Sequence, residues 1–174
     1  MGSYNLVFCN LIKFVAAEFF PIFGENLSVM AFQKDYLLRM IEMMGDLIAA
    51  ILGMIKKGEY EVASRSIDNA FNSFLKEDAS FFNMIPKEKL TERVLREHHY
   101  TNGHLEILSE LFFAQGELLS ARGKSSESLL FYEKSFILLD YVVRESKTYS
   151  LDKEQKLSLL KDKIESAGGN PEIK

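Results

Sequence analysis

His98, His99 and His104 are the chain's three histidines, and they fall close to Glu97 and Glu106. No other stretch gathers so many groups able to hold a metal ion or move a proton. A helical metal site needs ligands three or four positions apart on one face. His98 and His99 are adjacent and diverge, and Asn102-Gly103 marks a break before His104. The expected structure is a polar helix end beside a loop, with no metal ligands; the competing reading is a metal-dependent hydrolase built on all three histidines. Asp35, Glu42 and Asp46 flank Arg39 on one helical stripe, which reads as a solvated face. No glycine-rich phosphate loop is present, and Gly103, Gly116 and Gly123 follow no strand pattern. None of the serines sits in a nucleophile elbow. Cys9 lies in apolar surroundings far from any histidine, the setting of an inert thiol. No catalytic residue, cofactor or metal ligand is therefore assigned, and the chain is read as a non-enzyme.

The elements that would position these groups are helical. The chain has 174 residues, 47% hydrophobic and 26% charged, the proportions of one ordinary globular domain. Three prolines leave few turns for a β fold. A net charge of -4 argues against a nucleic-acid role, which needs a basic face. One cysteine excludes an internal disulfide and fits a reducing, cytoplasmic setting. Residues 6–23 are strongly apolar, but Asn10, Lys13, Glu18 and Pro21 interrupt them, so neither a signal peptide nor a membrane span is expected. Residues 1–29 are read as an extra helix or as leader sequence upstream of a start at Met30. Residues 30–167 form the helical domain, and 168–174 a flexible tail.

From Asp35 the apolar spacing predicts a long helix ending at Lys56-Lys57-Gly58; with so narrow a polar stripe it is expected to be the central element. A second helix runs from about Tyr60 to Lys76, with Ala63, Ile67, Ala70, Phe71 and Phe74 facing inward. Phe81, Phe82, Met84 and Ile85 make an apolar plug, and Pro86 opens a short helix with Leu90, Val94 and Leu95 inward. Long helices follow over about 104–122 and 126–144. A last one begins near Asp152, where Asp152 and Gln155 form a capping-box-like pair, and stops at Gly168-Gly169. Leu157, Leu160 and Ile164 give it a thin apolar stripe. The fold class is all-α, built of antiparallel helical hairpins, with five to seven helices.

Gly58 and Gly123 each separate two long amphipathic helices, and the same pattern follows each. After Tyr60, the residues Ala63, Ile67, Ala70 and Phe71 in the first copy correspond to Ser128, Tyr132, Ser135 and Phe136 in the second. Small residues at a helix crossing let two backbones approach closely. With Phe112 and Gly116 on the preceding helix, this resembles the tetratricopeptide repeat, whose length is about 34 residues; Ile51 stands where its helix-A glycine belongs. From Met30 onward, Gln33-Lys34-Asp35-Tyr36-Leu37-Leu38-Arg39-Met40-Ile41-Glu42, the Gly58 turn and the Gly116–Gly123 pair also resemble a bacterial family of uncharacterised tetratricopeptide-like proteins. The resemblance implies a right-handed α-α arrangement with helices meeting at Ala63, Ala70, Gly116, Ser128 and Ser135. It further implies a groove lined by Ile48, Leu52 and Ile55 in the first copy and Phe113, Glu117 and Ser120 in the second. Ile48 and Leu52 replace the basic and amide groups that clamp a peptide carboxylate, so an apolar groove for a helix or peptide is expected. The expected role is a protein-interaction module or scaffold with a protein or peptide partner. The alternative is a structural homodimer. Neither nucleic acid nor membrane is an expected partner.

Overall fold

The computed structural model describes residues 35–36, 38–97, 99–146 and 149–170, with only the backbone of Glu97. The chain divides into two units, residues 1–39 and 40–174. The described part of the first is the start of a helix; the second holds everything that follows. Among the described residues there are seven α-helices and no strand.

Helix α1 is continuous over 38–56, its body from Met40 onward in the second unit. Met40, Met44, Ile48, Ile51 and Ile55 recur at steps of four and three, and all are buried. Gly58 ends it in the left-handed conformation (φ 79°), and the Glu59 amide donates back to Met54 O at 3.0 Å. Gly123 after α5 and Gly168 after α7 repeat this cap. Helix α2 (Tyr60–Ala70) buries Ala63, Ile67 and Ala70 and runs on as a π-helical turn, Phe71–Leu75. That turn changes the inward set. A regular helix would send Phe74 inward, but the extra residue gives the place to Leu75, which is buried with Phe71 while Phe74 stays half-buried.

The expected apolar plug is a short helix, α3 (Ala79–Met84). It splits the four residues: Phe82 and Ile85 are buried, Phe81 is half-buried, and Met84 is 77% exposed. Pro86 precedes a 3₁₀ turn, Lys87–Lys89, that feeds α4 (Leu90–Glu97), where Leu90 and Val94 are buried and Leu95 is half-buried. Helices α5 (Asn102–Ala121), α6 (Ser125–Glu145) and α7 (Leu151–Ser166) form two successive antiparallel hairpins, and α5 against α6 is the most extensive interface. α7 buries Leu157, Leu160 and Ile164 as the spacing predicts. Its cap differs from expectation: Ser150 is the N-cap residue, so Asp152 lies in the first turn, where its charge suits the helix dipole.

The central element is α5, not α1. Residues around its whole circumference are buried, from Leu105 and Ile107 through Leu111, Phe112, Phe113 and Ala114 to Leu118. The apolar surplus of α1 consists partly of Met43, Ala49 and Ala50, and these face outward. Among the described residues no helix is long and apolar enough to cross a membrane.

Candidate functional site

The two histidines among the described residues, His99 and His104, do not come together as a site. His98 lies outside the described residues, and His99 is exposed with a left-handed backbone (φ 52°). His104 serves its own helix. The break falls before Thr101, the N-cap residue, so Asn102-Gly103 opens α5 instead of interrupting it. The Thr101 amide donates to His104 Nδ1 at 3.2 Å, and the ring stacks on Tyr100 at 5.1 Å. Burial pushes the imidazole pKa down, which suits a ring that accepts that proton while neutral. Glu106 is paired with Lys153. Among the described residues no three histidine, cysteine, aspartate or glutamate side chains are grouped to hold a metal ion.

The small residues predicted at the crossings are buried. Ser135 Oγ donates to Ser109 O at 2.8 Å, and Ser109 Oγ donates to Ser135 O at 2.9 Å, so α5 and α6 meet at a pair of serines. Ser128 Oγ turns to its own helix and donates to Ser125 O. Gly116 faces the ring of Tyr132, and a Cβ there would stand 2.6 Å from Cε1. The ring is held in place by its hydroxyl, which donates to Glu117 Oε1 at 2.7 Å. Burial, then the Glu117 carboxylate, raises the Tyr132 pKa. Ala63 and Ala70 are buried on α2.

Two of the three second-copy groove positions lie against α7. Lys156 Nζ stands 3.5 Å from the centre of the Phe113 ring, a cation–π contact, and Lys163 pairs with Glu117 at 2.6 Å. Lys153 pairs with Glu106, and Lys156 also pairs with Glu110 at 2.8 Å. The partners rise in number together, so α7 runs in the same direction as α5, stitched to it by three lysine–glutamate pairs. Ser120 lies beyond this seam and borders a cleft of about 250 Å³ with Ser166 and Lys163. Of the first-copy positions, Ile48 and Ile55 are buried and Leu52 is half-buried.

Lys134 carries chemistry that the sequence reading passed over. It is 1% exposed, and its ammonium donates to Phe82 O at 3.1 Å and Asn83 O at 2.9 Å, the carbonyls at the end of α3. The rings of Phe112 and Phe131 flank it at 5.3 and 5.9 Å. Burial lowers its pKa to about 8. Its signal was positional: Phe131, Lys134 and Leu138 share an inward stripe at steps of three and four. With both carbonyls and both rings engaged, this lysine closes the end of α3.

Several small clefts border the described residues. Those bordered by Met44 and Glu110, by Asn83 and Gln115, and by Thr91 and Phe136 measure about 140, 240 and 210 Å³. Pockets for drug-sized ligands start at about 300 Å³. The remaining feature is the outward side of α1. Met43 is 61% exposed, and Glu42, Asp46, Ala49, Ala50, Lys56 and Lys57 are exposed with it. A Cβ built on Gly45 or Gly53 would meet nothing within 4 Å.

Compared with family models, with curated proteins and with solved structures, the chain finds no match in any of the three.

Proposed function

We propose that this protein is a non-catalytic, cytoplasmic interaction module of tetratricopeptide-like design, which binds a helix along the outer side of α1. The observation that carries the reading is the contrast within the molecule: α5 is enclosed, its Phe113 and Glu117 lying under α7, whereas α1 leaves Met43, Ala49 and Ala50 exposed. The tetratricopeptide-like part is supported by Gly116 under the Tyr132 ring, the left-handed cap at Gly123 and the serine pair between α5 and α6. The non-catalytic part is supported by the use to which polar groups are put: Glu106, Glu110, Glu117, His104 and Lys134 all hold the fold. Binding would bury the methionine and let a second backbone approach over Ala49 and Gly53, with no covalent step.

A photo-crosslinking residue placed at Ala50 tests the surface, with one at Leu159 on the exposed side of α7 as the control. The expected outcome in the native host is a defined protein adduct at Ala50 and none at Leu159. Equal labelling at both positions would remove α1 as the docking surface.

A further inference from the structure

We infer that the outer face of α1 binds the same face of a second copy of this chain, with the two helices antiparallel. The inference rests on the reading of α1 as a docking surface and names its occupant. Glu42, Asp46, Ala49, Gly53 and Lys56 follow one another at steps of four, three, four and three, which places them on a single stripe. Asp46 and Gly53 each stand two positions, about half a turn, from buried residues: Met44 and Ile48 for one, Ile51 and Ile55 for the other. The stripe is therefore diametrically opposite the side that faces the core.

Its charges are ordered. From Glu42 onward acids come first, small residues occupy the middle and bases the last part; the exposed Arg39, one turn before Glu42, lies beyond the span that pairs. A two-fold axis on this outer face, level with position 51 along the helix, turns this order onto itself. Asp46 then meets Lys56 of the second copy, Ala49 meets Gly53, and the same contacts recur on the other side of the axis, as an isologous interface requires. Glu42 falls within a turn of the second copy's Lys57. The alanine and glycine at the centre let the helix axes come to about 8 Å, the close end of helix packing. A parallel pairing would set acids against acids and bases against bases, and like charges at close quarters are unfavourable. Among the described residues these four charges form no ion pair, so the second copy supplies partners for them, with Arg39 the one neighbouring base on the stripe. One helix pair covers less than the roughly 1,200 Å² of a standard interface. The association is therefore weak, with a dissociation constant on the order of micromolar or above.

Sedimentation velocity on the full chain, from about 1 to several hundred micromolar, tests the inference. The wild-type protein is expected to pass reversibly from monomer to dimer. Asp46→Lys turns both attractive pairs repulsive, and so does Lys56→Asp; each alone is expected to raise the dissociation constant about tenfold or more. Mixed in equal amounts, the two variants present one chain with lysine at both positions and one with aspartate at both, so a heterodimer is expected to form. Ala49→Arg is expected to abolish dimerisation. All three substitutions are at exposed positions, and an unchanged circular-dichroism melt in dilute solution verifies that the fold is intact. A wild-type monomer throughout, a dimer indifferent to the charge swaps, or a mixture that stays monomeric would each overturn the inference. The crosslink at Ala50 separates this from the broader reading: a monomer that still captures another protein there sinks only the second-copy assignment. A swap-sensitive dimer that crosslinks only to itself sustains the assignment and leaves no place for a different partner.

Discussion

The seam between α5 and α7 and the outer face of α1 are made from similar materials and end differently. Both carry acids and lysines at helical spacing around a line of less polar residues. In the seam each acid of α5 has a lysine of α7 beside it, and Phe113 has Lys156 over its ring. On α1 the acids and the lysines sit on the same helix, more than two turns apart from Asp46 to Lys56, too far to pair with one another. The seam shows that complementary stripes on this chain join when a second helix is available. The α1 face has one stripe and, among the described residues, no second helix over it.

The largest effect should come from cutting the apolar line beneath the seam. Leu160 is fully buried, so Leu160→Ala is expected to lower stability by about 2–5 kcal/mol, by lost burial and a residual cavity. Ala49→Arg, a larger change in volume, is expected to stay within about 0.5 kcal/mol in dilute solution because the position is exposed. Urea titration of both variants at low micromolar concentration measures the contrast. A severe loss at Ala49 would mean that the face is covered within the monomer.

The closed side should also carry a pH signature. Lys134 has a pKa near 8 in the folded protein against 10.5 ordinarily. Between those values the unfolded chain binds a proton that the folded chain lacks, so stability rises as pH climbs from 8 to 10.5, by at most about 3 kcal/mol. Tyr100, raised to about 12 by burial and the charge of Glu77, and Tyr132, raised further, reverse the trend above pH 10. There the folded chain keeps protons that the unfolded chain releases. Melting temperature against pH is expected to peak near pH 10. Lys134→Met is expected to lose the rise between 8 and 10.5, and a rise of equal height in that variant would remove Lys134 as its source.

The parts of this fold legible in the sequence were those set by short-range rules. Gly58, Gly123 and Gly168 announced their caps because a left-handed residue costs glycine little. Leu157, Leu160 and Ile164 announced the buried side of α7 because a stripe can be counted. What resisted was decided by partners distant in the chain. Nothing local to Lys153, Lys156 or Lys163 says that α5 lies beneath them. Lys134 is a charged residue whose burial depends on the rings of Phe112 and Phe131 and the carbonyls of α3, which lie far from it in the chain or only become its neighbours on folding. The π turn after Ala70 moved the inward position from Phe74 to Leu75 through one extra residue that spacing alone does not reveal. Asn102-Gly103 signals a break because those residues favour turns, whereas the Thr101–His104 cap makes them the first turn of α5. The central place of α5 depended on neighbours at every side, and the composition of α1, rich in Met and Ala, imitated it.

One substitution made in both regions should change sign between them. Gly116→Ala puts a Cβ 2.6 Å from the Tyr132 ring, whose hydroxyl is fixed by Glu117, so the ring cannot move freely aside. A loss of about 1–3 kcal/mol is expected from that overpacking. Gly53→Ala meets nothing within 4 Å and removes a helix-interior glycine, so a gain of about 0.5–1 kcal/mol is expected. Parallel denaturant curves give both numbers. Equal signs would show that α1 and α5 are closed to a similar degree.

The smallest effect separates the lysines. Lys156→Ala removes an ion pair whose side chains are 19% and 25% exposed, together with a contact on the Phe113 ring, and is expected to cost about 1 kcal/mol. A double-mutant cycle with Glu110→Ala apportions that cost. If the ring contact supplies a share, Glu110→Ala alone should cost less than Lys156→Ala, and salt should weaken the first more in proportion than the second. Lys56→Ala is expected to cost at most about 0.5 kcal/mol in dilute protein, since Lys56 is exposed and, among the described residues, has no ion pair. If copies pair through α1, its effect should emerge as the protein is concentrated, because there Lys56 would face Asp46 of the second copy. A larger cost at Lys56 that is the same at every concentration would place its partner inside the monomer and erase the difference between the two regions.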